Sequence, residues 1–328
     1  MATQIIQGYR LSPQQHHLWR LQEHSAVYRT QCWTLIEGEL QTDVLKRSIE
    51  QVVRRYEILQ TVFCTRPGIK APLQVVRDGS AILWQGFDLS HLSTEQSAFD
   101  LANGPLVNVR LTKEKDTLHR LTISVPALCA DAQSLRNLVE QVSREYAGER
   151  VDETYEVVQY AQFSQWQNDL LEDENELAGR EYWTKQNLHD RYKPEENSNF
   201  VPRIERSTVD ADTWREVVDL AVRYQFSTAD ILLACWSSLL WKTYADGPFL
   251  VSAANDGRKF EELKDAVGLF EKYLPLQCDF NESLRFDELS RKLRTAGEQV
   301  SKWEEYFCWE QVDGQFEKYY PYGFEYNE

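Results

Sequence analysis

The sequence predicts a mixed α/β (α+β) protein organised around two hydrophobic cores. Its 328 residues exceed what one compact core ordinarily organises. Apolar patterns of helical and strand period alternate in both halves. Between the halves lies Lys193–Pro202, a polar stretch without periodicity that holds two prolines and three Asn or Ser residues. The expected division is residues 1–190, a linker at 191–202, and residues 203–328.

Thr42-Asp43 opens the first strong helix, in which Leu45, Ile49, Val52, Val53 and Tyr56 recur at three and four. Short strand-like runs at Leu73–Val76 and Ile82–Trp84 follow among Pro and Gly, and Asn103-Gly-Pro turns the chain into a strand at Leu106–Thr112. Thr117–Val125 alternates Leu121, Ile123 and Val125 with Thr122 and Ser124, so one face packs inward. Continued, that alternation sets Ala127, Cys129 and Asp131 on the side of Val125. From Ser134 the period becomes helical, with Leu135, Leu138, Val139, Val142 and Tyr146 in one stripe ending near Gly148.

Residues 155–189 read as helix, with Trp166 and Trp183 among many acidic residues. The second half reads as helices at 211–225 and 228–244, a strand at Phe249–Ala254, a turn at Asn255-Asp-Gly and a strand around Tyr273–Cys278. A helix near Phe286–Trp303 precedes an aromatic, acidic tail.

Composition narrows the function classes. Hydrophobic residues make up 42% and charged residues 27%, as in a soluble globular chain. A formal charge of −16 disfavours nucleic acid or an anionic membrane as the main partner, since both need a basic face. The six cysteines are scattered without C-x-x-C spacing, and no His completes a zinc set. No metal is expected, and the compartment expected is the reducing cytoplasm. The most apolar run, Ala229–Trp241, is too short to span a bilayer.

Several segments resemble one family, in its order along the chain. Tyr9-Arg-Leu-Ser-Pro-Gln-Gln-His-His-Leu-Trp is similar to the opening motif of the condensation domains of nonribosomal peptide synthetases. Arg54-Arg-Tyr-Glu-Ile-Leu-Gln-Thr-Val-Phe63 resembles their Arg-His-Glu-x-Leu-Arg-Thr-x-Phe string, and Glu181-Tyr-Trp183 the Tyr-Trp that ends the first lobe. Asp256-Gly-Arg258 with Glu262-Leu263 resembles Gly-Arg-x-x-x-Glu-Leu. Val267-Gly-Leu-Phe270 with Leu274-Pro-Leu276 resembles Val-Gly-x-Phe…Leu-Pro-Leu.

The resemblance implies two lobes, each like a chloramphenicol acetyltransferase subunit, meeting in a V around a tunnel. It implies carrier proteins and adjacent synthetase domains as partners. No cofactor is then bound directly; the carriers' phosphopantetheine arms bring thioesters, and an acceptor amine attacks the donor thioester to form an amide. The likeness stops at Tyr322–Tyr326, short of the family's usual end, so the second lobe is expected to be truncated, with sheet edges exposed.

The family's His-His-x-x-x-Asp-Gly motif reads here Pro126-Ala-Leu-Cys-Ala-Asp-Ala132. Pro126 and Ala127 replace the histidines, and Ala127 stands at the base position. The family's Asp is regarded as structural, which makes Asp131 a strut rather than a base, paired with an Arg of the second lobe; Arg258 is the candidate. Cys129 is a candidate nucleophile or weak acid, against the plainer role of a small core residue. Ser134 is a candidate site residue or simply an early-helix cap. The cyclization pattern Asp-x-x-x-x-Asp-x-x-Ser is broken at Pro126, and epimerization members keep the His pair. The chain is thus expected to be a condensation-type domain with altered or lost catalysis. The alternative is a non-catalytic domain that recruits a carrier protein or tailoring enzyme.

Overall fold

The computed structural model describes residues 7–22, 28–77, 82–86, 99–149, 157–173, 177–186, 188, 203–244, 247–280, 283–309 and 322–327. The chain forms two compact units, one of Met1–Glu176 with Asp256–Glu271, the other of Leu177–Asn255 with Lys272–Glu328.

The first unit runs α1 (Pro13–Leu21), β1 (Arg29–Glu37), α2 (Thr42–Arg55), β2 (Thr61–Cys64), β3 (Leu73–Val76), β4 (Ile82–Gln85), β5 (Val107–Lys115), β6 (Leu118–Pro126), α3 (Ala132–Tyr146) and α4 (Tyr160–Glu172). Four strands form one sheet in the order β1-β6-β5-β4, antiparallel except that β4 lies parallel to β5. The alternation read in the sequence sets its inner face. Leu121, Ile123 and Val125 of β6 join Val107, Val109 and Leu111 of β5 in one core with the stripes of α2 and α3. That burial is what holds both helices against the sheet. β2 and β3 pair separately, and Tyr9 bridges to Gln74 beside them.

The second unit runs α5 (Leu177–Lys185), α6 (Ala211–Tyr224), α7 (Thr228–Tyr244), β7 (Phe249–Asn255), β8 (Lys272–Cys278), α8 (Phe286–Lys302) and β9 (Gly323–Phe324). Its sheet has the order β8-β7-β9, with β7 antiparallel to β8 and parallel to β9. Leu250, Val251, Leu274 and Leu276 pack with Leu233, Leu240, Leu289 and Leu293 from the helices.

These units differ from the expected division in two places. The 155–189 segment is not one helix: α4 stops at Glu172, where Asp173 is extended, and α5 begins at Leu177. Trp183 of α5 is buried in the second unit's core, and its Nε1 donates to Trp303 O at 2.9 Å. So Tyr182-Trp183 opens the second unit instead of closing the first. Conversely, Asp256–Glu271 packs with the first unit, because α3 side chains engage its backbone. The expected linker, 191–202, lies outside the described residues. Of the aromatic tail, Trp303, Tyr306, Phe307 and Trp309 pack in or against the second core, and residues 310–321 are not described.

Candidate functional site

The site grows from the end of β6. Pro126, opposite Arg29 of β1, carries no N–H to extend the ladder. The chain turns instead: Ala127 N donates to Tyr28 O and Cys129 N to Pro126 O, both at 2.8 Å. Leu128, Cys129 and Ala130 follow one another in full burial, while Ala127 is half-buried. The expected alternation therefore ends one residue before Ala127, and Cys129 does not share an open face with it. Burial pushes the Cys129 thiol well above its ordinary pKa. Its full burial fits the plainer role of a small core residue, whereas a nucleophile needs an accessible, low-pKa thiolate.

Asp131 has extended backbone and caps α3. Its Oδ1 accepts from Ser134 N (2.8 Å) and Arg258 Nη2 (2.9 Å) and lies 2.7 Å from Ser134 Oγ. Its Oδ2 accepts from Arg258 Nη1 (3.0 Å), Phe270 N (2.9 Å) and Glu271 N (3.1 Å). The Arg258 and Asp131 side chains are 2% and 1% exposed. Arg258 Nη1 also meets Asp256 Oδ1 at 2.7 Å, and the guanidinium sits 4.5 Å over the Phe270 ring. Burial works against the Arg258 charge, but the Asp131 and Asp256 carboxylates outweigh it and raise its pKa above the ordinary value. Arg258 thus spans both oxygens of the carboxylate, with main-chain N–H groups completing each side.

Ser134 does more than begin a helix. Its Oγ accepts from Arg258 Nη2 (2.8 Å) and Gly268 N (3.0 Å), and its proton serves Asp131 Oδ1 or Gly268 O. One helical turn later, Asn137 Nδ2 donates to Lys264 O at 2.8 Å. Asp131, Ser134 and Asn137 thus form one face of α3 that binds the main chain of residues 264–271. Asp131 N donates to Gly268 O, and Tyr56 Oη donates to Asp265 O.

Sequence reasoning missed the other side of this grip. Buried Tyr160 of α4 donates to Leu269 O at 2.7 Å, and Gln14 Nε2 reaches the same oxygen at 3.1 Å. Since the phenol proton is committed there, Ser12 Oγ donates to Tyr160 Oη at 2.7 Å. Burial holds the Tyr160 phenol well above its ordinary pKa, so it remains a donor. Gln15, fully buried, donates to Leu128 O inside the turn at 2.9 Å. The available signal was the spacing Ser12-x-x-Gln15, which forms the capping box of α1. Gln15 and Tyr160 partner main-chain carbonyls more than a hundred residues away, and no side-chain pattern encodes such a contact.

The adjacent histidines His16 and His17 lie on α1, within the opening motif and not in the turn after β6. His17 is held down to about 4, first by burial and then by the neighbouring His16 and Arg20 charges, so it is neutral near pH 7. Among the described residues, no cluster of three or more His, Cys, Asp or Glu is arranged to hold a metal. Nor, among them, is any helix long and apolar enough to cross a membrane.

The family model described as "Condensation domain" matches residues 5–306. The chain belongs to the condensation-domain family. Among curated relatives, this condensation-family chain is 24% identical over 318 residues to the chondramide synthase cmdD of Chondromyces crocatus. That alignment covers 88% of this chain and only 8% of the synthase. Among solved structures, the fold is similar to the condensation domain from the monacolin K polyketide synthase MokA. There the TM-score is 0.81 at 17% identity, covering 98% of this chain and 78% of that one. It is also similar to the X-domain in its complex with OxyB from teicoplanin biosynthesis, at TM-score 0.73 and 17% identity over 95% and 74% of the two chains. At such identities the likeness establishes the mixed α/β fold alone.

Proposed function

We propose that this condensation-family chain works within a nonribosomal peptide synthetase and receives acyl or aminoacyl thioesters on the phosphopantetheine arms of carrier proteins. Amide formation at it is lost or strongly reduced. The observation that carries this reading is the turn itself: its anchoring is complete, yet Ala127 occupies the base position. An amine attacking a thioester must shed a proton, and imidazole suits that near neutral pH. Neither Pro126 nor Ala127 carries a titratable group. Asp131 is a strut whose carboxylate is held by Arg258, Ser134 and the Phe270 and Glu271 amides. Holding two tethered substrates together still contributes through proximity, so a small residual rate fits the same site. All six cysteines are free thiols, which supports a reducing, cytoplasmic setting.

The replaced histidines equally favour a second reading, a recruitment domain that binds a carrier protein or tailoring enzyme without chemistry. The X-domain neighbour, whose structure is a complex with OxyB, offers that analogy. A single-turnover assay with loaded donor and acceptor carriers separates the readings. The natural chain is expected to give little more amide than the carriers alone, and Pro126→His with Ala127→His to raise the yield by about two orders of magnitude. Amide from the natural chain well above the carrier background overturns lost catalysis. No gain from the double variant, with carrier binding intact, favours recruitment.

A further inference from the structure

The opening motif of the chain supplies a side chain whose role the capping box does not exhaust. Gln15 is completely buried, and its amide is fully committed. Its Oε1 accepts from Ser12 N at 3.1 Å, which turns Nε2 toward two acceptors, Leu128 O at 2.9 Å and Gln74 Oε1 at 3.2 Å. Gln74 is held in turn, its Nε2 donating to Arg10 O at 2.8 Å, and its strand residue pairs with Tyr9 through two 2.8 Å main-chain bonds. A chain of fixed groups therefore ends on one carbonyl, that of the residue following Ala127. Before Asp131, whose carboxylate anchors the far end, the turn's other ties are main-chain ones: Ala127 N to Tyr28 O and Cys129 N to Pro126 O.

We propose that Gln15 is a positioning residue for position 127. By fixing the Leu128 carbonyl it holds Leu128, Cys129 and Ala130 in the core and leaves the side chain at 127 half-buried at the strand end. A carbonyl buried without a donor loses its hydration with nothing in return. Without Gln15, the turn must rotate Leu128 O toward water, and residues 127–129 turn with it. This rests on the proposed function only in treating 127 as the reacting position; the geometry tested needs no activity.

The test uses the full chain carrying Ala127→Cys as a chemical reporter, with alkylation of each thiol followed by peptide mass spectrometry across pH. Adding Gln15→Met is expected to move the pH midpoint for alkylation at position 127 by about half a unit or more. Cys129, inaccessible in the parent, should react about tenfold faster. Cys278, buried in the other unit, reports global opening and should not change. Val142→Ala, which destabilises the same unit through α3, should leave both readouts unmoved. Should Gln15→Met not fold, Gln15→Asn, which keeps the amide but shortens its reach, is read the same way. The proposal is overturned if both readouts stay at the parent's values within about twofold, if Cys278 rises in step with Cys129, or if Val142→Ala produces the same changes. Amide formation is not measured in this experiment, so a negative assay under the proposed function leaves its outcome standing, and the converse also holds.

Discussion

Asp131 and Arg258 form a buried ion pair in which nearly every donor and acceptor is used. Such a pair is weak evidence for net stability, because two charges must be desolvated to make it. Breaking it is another matter. Arg258→Met leaves the Asp131 carboxylate at 1% exposure with its guanidinium gone, and the expected cost is about 3–5 kcal/mol. Chemical denaturation of the variant beside the parent measures this; a change under about 1 kcal/mol would mean that the Phe270 and Glu271 amides suffice alone. The pairing was legible in the sequence only through the family motif, since nothing local links residue 131 to residue 258. Ser134 was half legible: its spacing from Asp131 announced a cap, but its contacts to Arg258 and Gly268 depend on a segment far along the chain. Cys129 was misplaced because the alternation was carried beyond a proline that ends the strand.

At the scale of elements, the segment Lys264–Glu271 is held through its main chain, its carbonyls and amides taken by side chains of α1, α3 and α4 and by Tyr56. Gly268 passes against Tyr160 of α4. A Cβ there falls 1.9 Å from Tyr160 Cδ2, inside a ring that is itself buried and hydrogen-bonded. Gly268→Ala should therefore destabilise by about 1–3 kcal/mol through overpacking. Trimming the ring as well, in Gly268→Ala with Tyr160→Leu, should cost less than the two changes summed, because one relieves the other. A double-mutant cycle on thermal midpoints checks the sign of that coupling. Elements with long apolar stripes were read closely: the expected helix at 228–244 matches α7, and that at 211–225 runs one residue past α6. The 155–189 reading failed because acidic, aromatic sequence continues through the break and no Gly or Pro marks it.

For the whole molecule, linear sequence and compact unit do not coincide. The chain leaves the first unit near residue 176, returns at Asp256 and leaves again after Glu271. Composition pointed to 191–202 as the boundary, for a polar stretch is visible in sequence and a returning segment is not. The returning segment contributes Leu263, Ala266, Val267 and Phe270 to the first core. A fragment ending at residue 176 therefore lacks part of its own interior and leaves Asp131 unpaired. It is expected to show no cooperative thermal transition, and a synthetic peptide of residues 256–271 added in excess should restore one by mass action. Circular dichroism melts with and without peptide decide this; a sharp transition of the bare fragment would show that the segment is dispensable.

The turn at Pro126–Ala132 separates what holds the site from what would act in it. Its anchors are backbone groups at 127, 128, 129 and 131, together with the Asp131 carboxylate. None of them is the side chain of residue 127. A change of side chain at 127 leaves every one of these anchors in place, so the scaffold does not depend on the chemistry it carries.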